Sequence, residues 1–189
     1  MSEPEQAVGR RIRRARSGLL VVDFQERLLP AIDHGERVVA EAVRLVSVAR
    51  VLGIPVLATE QYPRGLGRTV PDFGNGLDGV RVREKLTFSA CGADGLVAEL
   101  EARDLQDVVL CGIETHVCVC QTALDLLDQG RRVFVVADAV SSRTPANRQI
   151  GLDRMRASGA TVVSMEMVVF EWLERAGTEE FKQVLPFVK

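Results

Sequence analysis

Short apolar runs alternate along the chain with longer stretches in which apolar residues recur every three or four positions. The runs at 18–22, 54–59, 80–85, 108–111, 133–137 and 160–163 read as strands. In the third, Val80 and Val82 alternate with Arg81 and Arg83, and Lys85 ends it. Helical spacing marks 36–52, where Val39, Val43, Val46 and Arg50 form one side, Ala42 and Leu45 lie beside it, and Gly53 closes the helix. Further helices are predicted over 96–102, from the Cys118 region to Gly130, and from Pro145 to about 158. Thr144-Pro145 is an N-cap followed by proline at the first helical position. Short helices close the pattern at 165–173 and 178–185. Strand alternating with helix predicts a doubly wound α/β fold: a mostly parallel six-stranded sheet with helices on both faces. Residues 60–79 are rich in Gly and Pro and lack a period, so they predict a long functional or mobile loop.

A chain of 189 residues fits one domain, and 47% hydrophobic with 26% charged residues is an ordinary globular balance. Arg10, Arg11, Arg13, Arg14 and Arg16 make 1–16 a basic arm, read as a solvated tail in preference to a phosphate-binding or subunit-packing arm; 17–189 is the domain. A net charge of -2 gives no reason to expect nucleic acid or an acidic membrane as partner. No apolar run approaches the roughly 20 residues that span a bilayer, and the N-terminus lacks the apolar core of a signal peptide, so cytoplasmic location is the expectation. The four cysteines do not form a disulfide framework, and without Cys-x-x-Cys spacing they do not suggest structural zinc.

The chemistry centres on Cys118. The 108–111 run is typical of a strand buried on both faces, Gly112 breaks it, and Thr115 is placed to cap the helix that follows. Val117, Cys120, Leu124 and Leu127 give that helix an apolar stripe, and Cys118 lies off it in the first turn. Unpaired N–H groups and the helix dipole there favour thiolate. A small buried cysteine is the competing reading, and the local sequence leaves the two level. In a parallel sheet, ligands bind beyond the carboxyl ends of the strands. Asp23, Lys85 and the Gly112 turn before Cys118 all sit at such ends. Singly, Asp23 reads as a turn cap and Lys85 as a solvated residue; together they bring three reactive groups to one crevice. His116 precedes Cys118 by two residues, a spacing at which helical side chains diverge, so its part is minor. His34 reads as solvent-exposed.

Four motifs carry a resemblance: Leu-Val-Val-Asp-Phe-Gln ending at Gln25, Glu-Lys-Leu-Thr-Phe-Ser at 84–89, Gly-Ile-Glu-Thr-His-Val-Cys-Val at 112–119, and Val-Ala-Asp-Ala-Val-Ser-Ser-Arg at 136–143. Over roughly 17–165 the chain resembles the isochorismatase-like cysteine hydrolases, which include nicotinamidases, carbamoylsarcosine amidases and ureidoacrylate amidases. The resemblance implies a catalytic triad of Asp23, Lys85 and Cys118. It also implies a cis Ile113–Glu114 peptide, with the backbone N–H groups of Glu114 and Cys118 as an oxyanion hole. Phe24, Gln25, Gln61, Tyr62, Ile113 and Thr115 are the implied substrate pocket. Such an enzyme cleaves a carbon–nitrogen bond of a small molecule through a thioester.

Metal-binding members carry Asp-x-His after the second strand. Here Glu60-Gln61-Tyr62-Pro63 stands in that place, with Tyr62 where the His ligand would be, so neither metal nor other cofactor is expected. The 59–67 run resembles the isochorismatase domain-containing proteins. Tyr62 reads equally as a pocket wall or as a loop aromatic packed on the body. Isochorismatase itself lacks the cysteine and cleaves a vinyl ether, so Cys118 argues for carbon–nitrogen cleavage. A homo-oligomer is expected, since relatives assemble and 165–169 offers apolar surface. Two other readings stand beside the hydrolase: a thiol redox protein pairing Cys118 with Cys120 or Cys91, and a non-catalytic interaction protein retaining the fold.

Overall fold

The computed structural model describes residues 11–188. Its strands are β1 (Ser17–Val22), β2 (Val56–Gln61), β3 (Val82–Lys85), β4 (Asp107–Ile113), β5 (Arg132–Ser141) and β6 (Thr161–Val163). They form one six-stranded sheet, order β3-β2-β1-β4-β5-β6, with every pairing parallel. The helices are α1 (Gly35–Val51), α2 (Pro63–Leu66), α3 (Leu96–Ala102), α4 (Cys120–Asp128), α5 (Pro145–Ala157), α6 (Met165–Leu173) and α7 (Glu179–Val184). From β1 the chain winds outward to β3, then returns to β4 and winds the other way. The crevice between the carboxyl ends of β1 and β4 is therefore the switch point, where such sheets bind ligands.

Side-chain alternation divides the core. Leu19 and Val21 of β1 and Val109 and Cys111 of β4 face the layer of α1, α6 and α7. Leu20, Val22, Val108 and Leu110 face α3, α4 and α5. Every residue of β1 and β4 is buried, which explains their continuous apolar runs. The two strands approach so closely at Gly112, φ +149°, that a Cβ there would meet the carbonyl oxygen of Val22.

Several elements differ from the sequence reading. β2 begins at Val56 because the Ile54 N–H is spent on Ala49 O (2.8 Å) and Pro55 has none to give. It runs on through Glu60 and Gln61. β3 begins at Val82 and reverses the expected alternation: Arg83 and Lys85 are buried and Val82 only half-buried. The Arg83 guanidinium spends its protons on Glu99 and on the carbonyls of Asp94 and Arg81. β5 passes Asp138 and reaches Ser141 through an irregularity, Leu110 pairing with Val135 but Gly112 with Val140. The 60–79 region is not structureless. It contains α2 and a 3-10 segment, Pro71–Leu77, whose Phe73 packs on Phe24 with centroids 5.4 Å apart.

Of the basic arm, Arg10 and the rest of 1–10 lie outside the described residues. Residues 12–16 are docked rather than solvated. Ile12 is buried, and its N–H donates to Glu171 (2.6 Å). Arg13 binds the buried Asp107, which Arg132 also binds, and Arg14 pairs with Glu180 (2.7 Å). Burial alone would raise the Asp107 pKa, but hydrogen bonds from Arg13 and Arg132 hold it below the usual carboxylate value. In 165–169, Met165, Val168 and Val169 are buried, so the exposed apolar groups of α6 are Met167 and Phe170. Among the described residues no helix is long and apolar enough to cross a membrane.

Candidate active site

Asp23 follows β1 directly, with its backbone in the left-handed region (φ 56°) and no exposed surface. Its Oδ1 accepts from Thr59 Oγ1 and its Oδ2 from Lys85 Nζ, both at 2.7 Å. Neither side chain of the Lys85–Asp23 pair touches solvent. The ammonium also donates to Gln61 Oε1 (2.7 Å), Phe88 O (3.0 Å) and Thr87 O (3.2 Å). Four acceptors surround three N–H bonds, so the charge is fixed in place with no proton left over for a ligand. Such a network is what a buried ion pair needs to offset its desolvation.

Cys118 lies in a wide, π-helical turn, Thr115–Val119, between β4 and α4. The turn opens on a cis Ile113–Glu114 peptide, as the resemblance implies. Thr115 is not its cap: that place falls to Glu114, and the buried Thr115 Oγ1 has no partner among the described residues. Cys118 is nearly enclosed, 6% exposed. Its thiol is pushed up to about 12, by burial first and by the charge of Asp23 second, against the lowering effect of Lys85. Asp23 and Lys85, held together, thus act on the thiol with opposite sign. The direction is opposite to the thiolate expected from the helix dipole, because an enclosed sulfur loses more by desolvation than the turn and Lys85 return. Thr122, which the sequence did not single out, donates to Cys118 O (2.6 Å) and accepts from Ala90 N–H (2.8 Å). It ties the Cys118 turn to the segment after β3.

The structure thus brings Asp23, Lys85 and Cys118 into one crevice. It places the other singled-out residues differently from one another. Phe24, Gln25, Ile113 and Thr115 are fully buried. Gln25 Oε1 accepts from Gln61 N–H (2.7 Å), and its Nε2 donates to Gln61 O (3.0 Å) and Gly67 O (2.7 Å). Gln61 is buried as well, its amide nitrogen donating to Leu86 O (2.9 Å). Tyr62 is 51% exposed, with its ring against Gly65. With Leu86 it borders an open cleft of about 550 Å³ that reaches Lys85. Glu114 accepts from Arg143 N–H and Nε (both 3.0 Å). His116 Nδ1 is 2.9 Å from Ser142 Oγ, and His34 is solvent-exposed.

The end of β2 and the Tyr62 that follows it do not suit a metal. Both Glu60 oxygens are taken, Oε1 by Thr69 N–H and Oγ1 and Oε2 by Arg68. Gln61 is a neutral amide spent on Lys85, and Tyr62 faces solvent. All four cysteines are free thiols, and burial raises the pKa of Cys111 and Cys120.

Residues 17–167 match the family model of the isochorismatase domain. The chain is 44% identical over 172 residues to isochorismatase domain-containing protein 2A of Mus musculus, covering 90% of this chain and 82% of the relative. Among solved structures, the MAR1 ribonuclease of Caenorhabditis elegans superposes with a TM-score of 0.88 at 37% identity, covering 94% and 92% of the two chains. The YcaC gene product of Escherichia coli, described as an octameric hydrolase of unknown specificity, shares the fold at 22% identity and a TM-score of 0.87, covering 95% and 91%.

Proposed function

Since the chain belongs to the isochorismatase family, whose membership supports a hydrolase, we propose that it cleaves a carbon–nitrogen bond of a small amide-like molecule through a Cys118 thioester. The observation that carries this reading is the enclosed Lys85–Asp23 pair, whose two charges both act on the Cys118 thiol. A neutral thiol beside a carboxylate suits proton transfer during attack rather than a thiolate waiting at rest. Asp23 takes the proton as Cys118 Sγ bonds to the carbonyl carbon, and the carbonyl π pair moves to oxygen. The N–H groups of Glu114 and Cys118 are the proposed donors to that oxyanion. The intermediate then collapses, the carbon–nitrogen bond breaks, and the amine leaves with the proton that Asp23 returns. Water, deprotonated by Asp23, attacks the thioester; the sulfur leaves and recovers its proton. Lys85 stays positive and keeps the carboxylate in place throughout.

Tyr62 and Leu86 are the proposed entrance. No metal takes part, and the cytoplasm is the proposed location. The chain is further proposed to self-associate through exposed apolar groups such as Met167 and Phe170; a monomer by sedimentation at micromolar concentration would overturn that. The alternative is a thiol redox protein pairing Cys118 with Cys120 or Cys91, all three free thiols in or against one apolar cluster.

The test is a panel of small primary amides and ureido compounds, assayed for released ammonia with wild type and Cys118→Ala, and for an acyl adduct on Cys118 by mass spectrometry. Turnover and adduct in wild type, both lost in Cys118→Ala, are expected. Undiminished turnover in Cys118→Ala sinks the reading.

A further inference from the structure

β2 projects alternate side chains to one face. At its carboxyl end this sends Thr59 and Gln61 toward the reactive groups, while Glu60 turns to Arg68 and Thr69. Thr59 Oγ1 holds Asp23 Oδ1 and Gln61 Oε1 holds Lys85 Nζ, each at 2.7 Å, as short as the Asp23–Lys85 contact itself. The two other acceptors of the ammonium, the carbonyls of Thr87 and Phe88, are longer at 3.2 and 3.0 Å. They belong to a segment whose side chains are exposed.

Gln61 is in turn fixed on three sides. Gln25 grips its main chain through both amide atoms, and its own amide nitrogen donates to Leu86 O. Gln25 is itself held to Gly67 O, so the 67–69 turn, the end of β2 and the residue two beyond Asp23 are joined by one buried amide.

We propose that Thr59 and Gln61 are positioning residues. They hold the carboxylate and the ammonium at the spacing that sets how readily Cys118 ionises, and neither touches substrate. The proposal rests on the cysteine-hydrolase reading for its consequence in turnover, but not for its effect on the thiol. Without Gln61 the ammonium can slip toward the carbonyls of Thr87 and Phe88. Its lowering of the thiol pKa then weakens. Without the Thr59 hydroxyl the carboxylate loses a donor, and its negative charge weighs more on the sulfur. Both changes make the thiol harder to ionise.

The experiment compares wild type with Gln61→Met, Thr59→Val and Thr59→Ser. Carbamidomethylation of Cys118 by iodoacetamide is followed by mass spectrometry from pH 7 to 10, and kcat and KM are measured on whichever amide the panel identifies. Gln61→Met and Thr59→Val are expected to slow alkylation at every pH. They should also lower kcat by roughly 10²-fold, the cost of about 1 Å of misplacement, with KM within about twofold of wild type. Thr59→Ser, which keeps the hydroxyl, should restore both. A raised KM with unchanged kcat and unchanged alkylation would make Gln61 a pocket wall and overturn the proposal. So would a Thr59→Ser variant no better than Thr59→Val. Absence of amidase activity in wild type would fell the hydrolase reading, while the alkylation comparison would still decide this one.

Discussion

Lys85→Met tests the enclosed network most directly. Methionine keeps most of the methylene packing and removes only the charged end. The Asp23 carboxylate is then left without solvent contact, with the Thr59 hydroxyl as its remaining side-chain donor. Breaking a buried pair from one side costs about 3–5 kcal/mol, because the surviving charge is uncompensated. The freed carbonyls of Thr87 and Phe88 add little, since that segment is open to water. Set against a total of roughly 5–15 kcal/mol for a domain, the variant should fold but unfold at much lower urea. Neutralising the partner should relieve it: Asp23→Asn/Lys85→Met is expected to recover about 2 kcal/mol or more over the single change. Urea denaturation of the four species in this cycle supplies the measurement. A single-variant loss below about 1 kcal/mol, the worth of an exposed pair, would refute the reasoning, as would strict additivity.

Gly112→Ala should destabilise by about 2–4 kcal/mol in the same assay, since its Cβ meets backbone of β1 and its φ disfavours a side chain; a loss under about 0.5 kcal/mol would show that the strands part freely. In wild type, iodoacetamide should label Cys118 ever faster from pH 7 to 11, because only the deprotonated sulfur reacts and its pKa is pushed up to about 12. A plateau near the ~8.5 of a free thiol would mean that Lys85 fully offsets burial and Asp23.

The parts of this fold that announce themselves in sequence are those whose burial is apolar. β1 and β4 lie inside the sheet with both faces covered, so their positions read as unbroken Val and Leu runs. β3 was misphased for the opposite reason. Its inward residues are Arg83 and Lys85, and a pattern that equates inward with apolar assigns them to solvent. Ile12 was lost among arginines, although it is the residue that seats the 12–16 segment. The convergence of Asp23, Lys85 and Cys118 was legible because strand ends in a parallel sheet share one edge. Gln61 was not given its place because the apolar run of β2 stops at Thr59 while the strand runs on through two polar residues, and Thr59 was not because its partner Asp23 lies on a neighbouring strand end. The state of the thiol was out of reach: it depends on how tightly the wide turn encloses Cys118, and no motif encodes a dielectric.

The margin of the sheet at β3 has a bearing on solubility. A terminal strand offers its open backbone groups to any extended segment of another molecule, and long flat margins seed aggregation. β3 offers only four residues, and two of them carry inward charges that must stay in register with Glu99 and Asp23. Immediately beyond it, Lys85 Nζ draws the carbonyls of Thr87 and Phe88 inward, away from an incoming strand. One ammonium thus holds both the Asp23 carboxylate and this margin, and a chain that lost it would be exposed to self-pairing as well as to an unpaired buried charge.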